Sequence, residues 1–384
     1  MIKADRTNGH IDWILLLAAA GLMLFSVAFV YSASSSFADV RLGSSDRLFW
    51  SHAVRVVVGL VVVLLFAKID YRVWRKFSRV GIVGALLLLL YVLIAGEERN
   101  GATRWISLGF FSFQPSELAK FALITHLAAM IAAKEHYIKS FKRALLPMLV
   151  WVAAVCLFIG LQPNMSTAAV IFTIAMTVLF VGGLSIWQLG GIALLGVGSL
   201  VVFAQSAEYR MQRLMAYWGD GENYQLDQAL LAFGNGGIFG LGPGQSRQRD
   251  WFLPESYGDF IFSIVGEEYG FIGAGLILVA FCLIVWRGLR SAKWAPDTFG
   301  HVLATGITVT LGAYALINAG VTCGVLPTTG LPMPFISYGG TATIISAAAL
   351  GVLLNISAQA GVYPGPQTQA AAMANYDVQS RAAH

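Results

Sequence analysis

Residues Leu253–Gly270 read LPESYGDFIFSIVGEEYG, and they place a carboxylate, Asp259, where a polar loop turns into an apolar helix. Apolar segments of membrane-spanning length precede this stretch, followed by a long polar loop at 205–258. Further apolar segments follow it and close the bundle. An acid at the mouth of a membrane helix is costly, because the charge prefers water, so Asp259 is a functional candidate. Asp259 also stands where an N-cap would stand, and capping is the rival reading.

The surrounding composition sets the class. Of the 384 residues 57% are hydrophobic and 12% charged, with a mean hydropathy of +0.70; a soluble domain carries roughly 25% charge. The fold class is therefore all-α, a polytopic membrane bundle. It has one domain, 1–358, and a tail, 359–384, whose Ala-, Gln- and Pro-containing composition predicts disorder. A net charge of +5 would suit nucleic acid. The basic residues cluster in short loops, however, which is a topology signal, and no nucleic-acid partner is expected. Cys156, Cys282 and Cys323 show neither metal spacing nor a disulfide pattern and read as small packing residues. No cleavable signal peptide is evident; the first apolar run, 13–30, reads as an anchor.

Ten segments approach the ~20 residues a bilayer requires: 12–33, 50–67, 79–96, 114–133, 144–161, 165–182, 185–204, 259–286, 298–322 and 335–357. Lys68, Arg72, Arg75, Lys76 and Arg79 fill the second loop, Lys134 to Arg143 the fourth, and Arg287, Arg290 and Lys293 the eighth. The positive-inside rule makes that side, with both termini, cytoplasmic. The loop at 205–258 then faces outward, away from ATP, so chemistry there needs an activated substrate or a gradient.

Several motifs carry polar groups toward that face. In Gln114-Pro115-Ser116-Glu117-Leu118-Ala119-Lys120, Pro115 suits a first helical turn. Glu117 and Lys120 project from one face, either as an ion pair that locks helices or as the wall of a cavity for an anionic head group. Residues 103–111 alternate apolar and polar and are read as a short interfacial helix with Arg104 facing water. Asn164, in Gln162-Pro163-Asn164, is read as a helix cap. The Gly-rich run 234–244 lacks the nucleotide-loop spacing and reads as a close-packed turn. Arg210, Arg213, Arg247 and Arg249 could meet phosphates or stay solvated. Residues 224–233 read as an amphipathic helix lying on the membrane surface. Of Glu267 and Glu268, one is expected to meet a cation or polar group. Residues 326–341, with Pro327, Pro332 and Pro334, read as a rigid, non-helical turn.

In that order, WISLG, FQPSELAK, YQLDQALLAFGNGG, GLGPGQSRQ, LPESYGDFIF, GEEYGFIGA and LPTTGLPMPFISYGGT resemble the SEDS family of FtsW and RodA, closer to FtsW, over roughly 10–357. The resemblance implies a peptidoglycan glycosyltransferase of the bacterial cytoplasmic membrane, acting in cell division or elongation. Its substrate would be lipid II, a disaccharide-pentapeptide on undecaprenyl pyrophosphate. Its partners would be a class B penicillin-binding protein, other divisome or elongasome membrane proteins, and membrane lipid. The family's motif acid falls on Asp259, implied as the catalytic base. Glu117 and Lys120 fall on a family polar pair, and Arg104, Gln114, Ser116, Arg247, Glu255 and Ser337 complete the implied substrate-binding set. Two departures stand out: Tyr257-Gly258 replaces the family's usual His-Thr, and Gln162-Pro163-Asn164-Met165-Ser166 replaces a usual QPDxG. No ligand cluster demands a metal, and assistance by a divalent cation stays open. The rival readings are a lipid II flippase, with Asp259, Glu117 and Lys120 as an ion relay, and a non-catalytic scaffold for the partner synthase.

Overall fold

The computed structural model describes residues 10–99, 102–107, 109, 112–205, 224–250, 252–254 and 256–360. The ten expected segments all fall on helices: α1 (Trp13–Leu42), α2 (Arg47–Lys68), α3 (Arg72–Ala95), α4 (Pro115–Ala133), α5 (Leu146–Leu161), α6 (Met165–Val181), α7 (Ile186–Gln205), α9 (Ile261–Lys293), α10 (Thr298–Thr322) and α11 (Gly340–Gln359). An extra helix, α8 (Tyr224–Gly236), precedes α9. Among the described residues, α1–α4, α5 together with the π-helical turn Phe141–Leu145 that leads into it, and α9–α11 are long and apolar enough to cross a membrane, and α6 and the first part of α7 are shorter apolar helices. The tail beyond Ala360 lies outside the described residues.

Hydropathy does not say which helices sit at the centre, because lipid is as apolar as a protein core. Small residues do. Over their most apolar stretches α4, α10 and α11 are 72%, 78% and 72% buried, against 39%, 22% and 28% for α1, α2 and α3. α10 achieves this with Gly306 and Gly312, among others. A Cβ on Gly306 would come within 2.5 Å of Ile124 on α4, and one on Gly312 within 2.7 Å of Val285 on α9.

One end of the bundle is closed by polar clasps. Asp12 caps α1 by accepting from Leu15 N (3.1 Å) and pairs with Arg287 of α9 at 2.6 Å. Asp297 accepts from the Tyr71 hydroxyl (2.8 Å) and from Arg72 (3.1 Å) while capping α10 through Gly300 N. Burial, and then the Asp297 carboxylate, push the Tyr71 phenol above its ordinary range.

Three expectations are corrected. Residues 103–111 do not form an interfacial helix. Strand β2 (Ala102–Ser107) lies between β1 (Glu97–Arg99) and β3 (Ser112–Phe113) in an antiparallel sheet, with Arg99 opposite Ala102 and Ile106 opposite Phe113. The last span begins at Gly340 rather than 335, because the proline-rich chain ahead of it stays irregular. Cys282 and Cys323 are exposed rather than packed, while Cys156 is half-buried.

The expected span at 259–286 is broken. Gly270 takes φ +65° and ψ −165° inside α9. The amides of Phe271 and Ile272, released by the break, donate to the carbonyls of Gly237 (2.9 Å) and Ile238 (3.2 Å). In return Leu241 and Gly242 N–H groups bond the carbonyls of Glu267 and Glu268. The Gly-rich run is thus the close-packed turn the sequence suggested, and its partner is the break itself. Helix α8 buries Ala229, Ala232 and Gly236 and packs on α9 rather than simply lying on a membrane surface; Phe233 meets Phe262 at 5.7 Å. At Gly270 a Cβ would stand 2.4 Å from Gly240 N and from the Ile238 oxygen. Gly270→Ala is therefore expected to lower stability by roughly 2 kcal/mol or more. Gly275→Ala, on the same helix with open space around it, should be near neutral. Thermal melting of the two variants in detergent checks the contrast.

Candidate active site

Asp259 lies in the turn 256–260, and α9 starts after it, with Phe260 at the N-cap and no side-chain capping bond. The capping reading of Asp259 therefore falls. The residue is half-buried. Its carbonyl accepts from Asn318 Nδ2 of α10 at 2.7 Å, and the same amide nitrogen donates to Leu331 O at 2.8 Å. One buried amide thus ties the acidic turn to the proline-rich segment. A second tie runs from Tyr338 N to Tyr257 O at 3.0 Å. Gly330, at φ +67°, lets that segment approach closely: a Cβ there would sit 3.3 Å from Asp259 Oδ2.

The proline-rich segment is rigid because it is covered. Leu331, Met333, Phe335 and Ile336 are buried. Ser337 is buried as well, and its hydroxyl accepts from Met333 N at 2.8 Å, so this candidate holds the turn.

On α4, Pro115 occupies the first turn and Glu117 follows in it. Glu117 and Lys120 form a 2.8 Å ion pair, both buried, and Lys120 Nζ stands 3.8 Å above the Tyr314 ring. Tyr314 and Asn318 are one turn apart on α10 and share a face. That face therefore meets the Glu117–Lys120 pair at one level and the Asp259 turn at the next. Lys120, Phe121, Ile124, Ile307, Leu311 and Ser346 line a narrow crevice beside the pair, with room for about 20 Å³. Ser116 is buried, and among the described residues its hydroxyl has no hydrogen-bond partner. Gln114 N donates to Thr341 Oγ1 at 3.0 Å, joining the start of α4 to α11.

Arg104 does not face water. Its guanidinium donates to the Gln162 carbonyl at 3.1 Å and to the Pro163 carbonyl, so it braces the α5–α6 corner. Asn164 occupies the N-cap of α6 without a side-chain bond. Arg247 is exposed, whereas Glu255, Arg210 and Arg213 lie outside the described residues. Arg249 turns inward, donating to Ser32 O at 2.9 Å and standing 4.0 Å from Glu268.

Both adjacent acids, not one, find partners. Glu267 accepts from the Ser246 hydroxyl, from Gln248 N (3.2 Å) and from Asn235 Nδ2 (3.0 Å). Glu268 accepts from the Ser32 hydroxyl at 2.5 Å. Sequence reasoning missed Asn318, Tyr314 and Asn235. An asparagine inside the apolar run Leu316-Ile317-Asn318-Ala319 was the available signal, since such a group must find a partner in a membrane. Among the described residues no cluster of three or more His, Cys, Asp or Glu is placed to hold a metal ion.

Helices of spanning length enclosing a carboxylate, a buried lysine–glutamate pair and a braced irregular segment define a multi-pass membrane protein with a polar site near one end of its bundle. A sequence profile described as "Cell cycle protein", FtsW/RodA/SpoVE, matches residues 12–361, and the chain belongs to this family. Stage V sporulation protein E of Bacillus subtilis is 39% identical over 355 residues, covering 90% of this chain and 96% of that protein. The probable peptidoglycan glycosyltransferase FtsW of Geobacter metallireducens is 40% identical over 353 residues, covering 90% and 94%. Among solved structures, Thermus thermophilus rod shape determining protein RodA superposes with a TM-score of 0.68 at 27% identity, covering 91% of this chain and 98% of that one. A chain from a structure described as "Structural coordination of polymerization and crosslinking by a peptidoglycan synthase complex" superposes with a TM-score of 0.74 at 27% identity, covering 90% and 97%.

Proposed function

We propose that this chain, a peptidoglycan glycosyltransferase, polymerises lipid II at the outer face of the cytoplasmic membrane, with Asp259 as general base and both termini in the cytoplasm. The observation that carries the reading is the placement of the Asp259 carboxylate against Gly330, in a turn held from two sides. A base must be positioned before its affinity for a proton matters. Asp259 takes the proton of the acceptor sugar's 4-hydroxyl. That oxygen attacks the anomeric carbon of the donor and a new C–O bond forms. The bond to the lipid pyrophosphate breaks, and the pyrophosphate leaves with the electron pair. Direct displacement at an α-linked donor yields a β-1,4 bond. The leaving group is already good, so the paired acid of a glycoside hydrolase is not needed.

Lys120 keeps two further donors on its ammonium beside the Glu117 bond, and it borders a narrow crevice between α4, α10 and α11. Outward-facing chemistry agrees with the positive-inside charge of the opposite loops. A class B penicillin-binding protein is the partner that would cross-link the product.

The test is reconstitution. Purified chain with its class B partner and labelled lipid II is expected to form glycan polymer. Failure to form polymer, together with movement of lipid II between liposome leaflets, would replace the transferase by a flippase; neither activity would leave a scaffold.

A further inference from the structure

Two cations of the implied substrate-binding set are engaged within the protein: Lys120 by Glu117, and Arg104 by backbone carbonyls. Arg55 on α2 is different. Its guanidinium carbon stands 4.5 Å above the Tyr338 ring, and among the described residues no carboxylate lies within ion-pair distance of it. Arg55 is eight residues into α2, about 12 Å at 1.5 Å per residue, so it is inside the span. A guanidinium at that depth is costly, and stacking on one ring returns only part of that cost. Such a residue calls for an anion.

Its surroundings say which. Tyr338 is bonded through its backbone to Tyr257, two residues before Asp259, and packs edge-on to the Tyr257 ring at 5.6 Å. The Tyr338 hydroxyl donates to Ser51, one turn of α2 from Arg55 and at the same end of the bundle as Asp259. Helical side chains lean toward the helix N-terminus, so the guanidinium reaches toward that end. On the helix surface Arg55 is half-buried at the edge of the packed stripe His52, Val56, Gly59 and Val63, beside exposed Val54 and Val58. The approach to it is thus sideways, from lipid. An anion carried on a hydrocarbon chain can take that path; a free anion would have to leave water first.

We propose that Arg55, stacked on Tyr338, receives the pyrophosphate of the lipid substrate as it slides in along α2. This rests on the reading of the chain as a lipid II polymerase, but its test needs no turnover. Full-length protein in phosphatidylcholine nanodiscs is titrated with fluorescent undecaprenyl pyrophosphate, and binding is normalised to folded protein by thermal melting. Arg55→Gln is expected to raise Kd roughly 10- to 100-fold, the value of a charge-assisted contact. Arg55→Lys and Tyr338→Phe, which keep the charge and the ring, are expected to stay within about threefold of wild type. Unchanged Kd in Arg55→Gln overturns the proposal. So does equal displacement by phosphatidylglycerol, which would mark a general anionic-lipid contact, or equal displacement by inorganic pyrophosphate, which would mark a free-anion site. Asp259→Asn should bind like wild type; if that variant still polymerises, the base assignment fails while the Arg55 result stands.

Discussion

Asp259→Asn is expected to abolish glycan polymerisation while leaving fold and lipid binding intact. The amide is isosteric, so the Asn318 bond to the backbone carbonyl and the Tyr338–Tyr257 tie are untouched. What goes is the ability to take a proton. General-base catalysis contributes roughly 10²–10⁴-fold, and the loss should fall in that range or deeper. The measurement is polymer length and initial rate on labelled lipid II, with the partner synthase present and melting curves matched. Asp259→Glu should retain part of the activity, because the carboxylate persists but is displaced by one methylene. Wild-type polymer from Asp259→Asn would remove Asp259 from the chemistry.

Glu117→Ala is the most destabilising single change expected. It strands a buried lysine among apolar helices, stacked on the Tyr314 ring with no carboxylate left in ion-pair distance among the described residues. Breaking a buried pair from one side costs roughly 3–5 kcal/mol, because the remaining charge is uncompensated. Removing both partners avoids that penalty, so Glu117→Leu/Lys120→Met should recover most of the lost melting temperature. The double variant separates two roles. A pair that only locks helices predicts recovery of polymerisation along with stability. A lysine that meets the substrate predicts a stable but inactive protein, which is the outcome expected here. Recovery of both together would return the pair to a purely structural role.

Much of this architecture is readable in the chain because a membrane imposes simple demands. Apolar runs of spanning length must be helices, since unpaired backbone groups are not tolerated in lipid. That is why the expected segments fall on helices, and why Pro115 correctly marks the start of α4. The errors arise where pairing is non-local. The alternation through Ala102–Ser107 is a period-two signal, and Asn100-Gly101 between Arg99 and Ala102 is a strong hairpin signature. Surface hydrophobicity nevertheless suggested an interfacial helix. Arg104 faces carbonyls of the α5–α6 corner, a contact across 58 residues of sequence that no local pattern encodes. Asp259 was legible because a charge stands out against apolar neighbours. Asn318, which holds its turn, was not, because its meaning depends on Leu331 and Asp259 arriving at the same place.

The break at Gly270 fixes the loop length in this stretch. The chain leaving α8 at Gly236 must reach Phe271 and Ile272 with its carbonyls, then Glu267 and Glu268 with its amides, before arriving at Ser246. Gly237, Ile238, Gly240, Leu241, Gly242 and Gln245 each make a backbone bond at a fixed place. A one-residue insertion or deletion between 237 and 246 is expected to shift the register and leave the Phe271 and Ile272 amides without acceptors. Tags, fluorophores and grafted epitopes are therefore expected to disrupt this stretch.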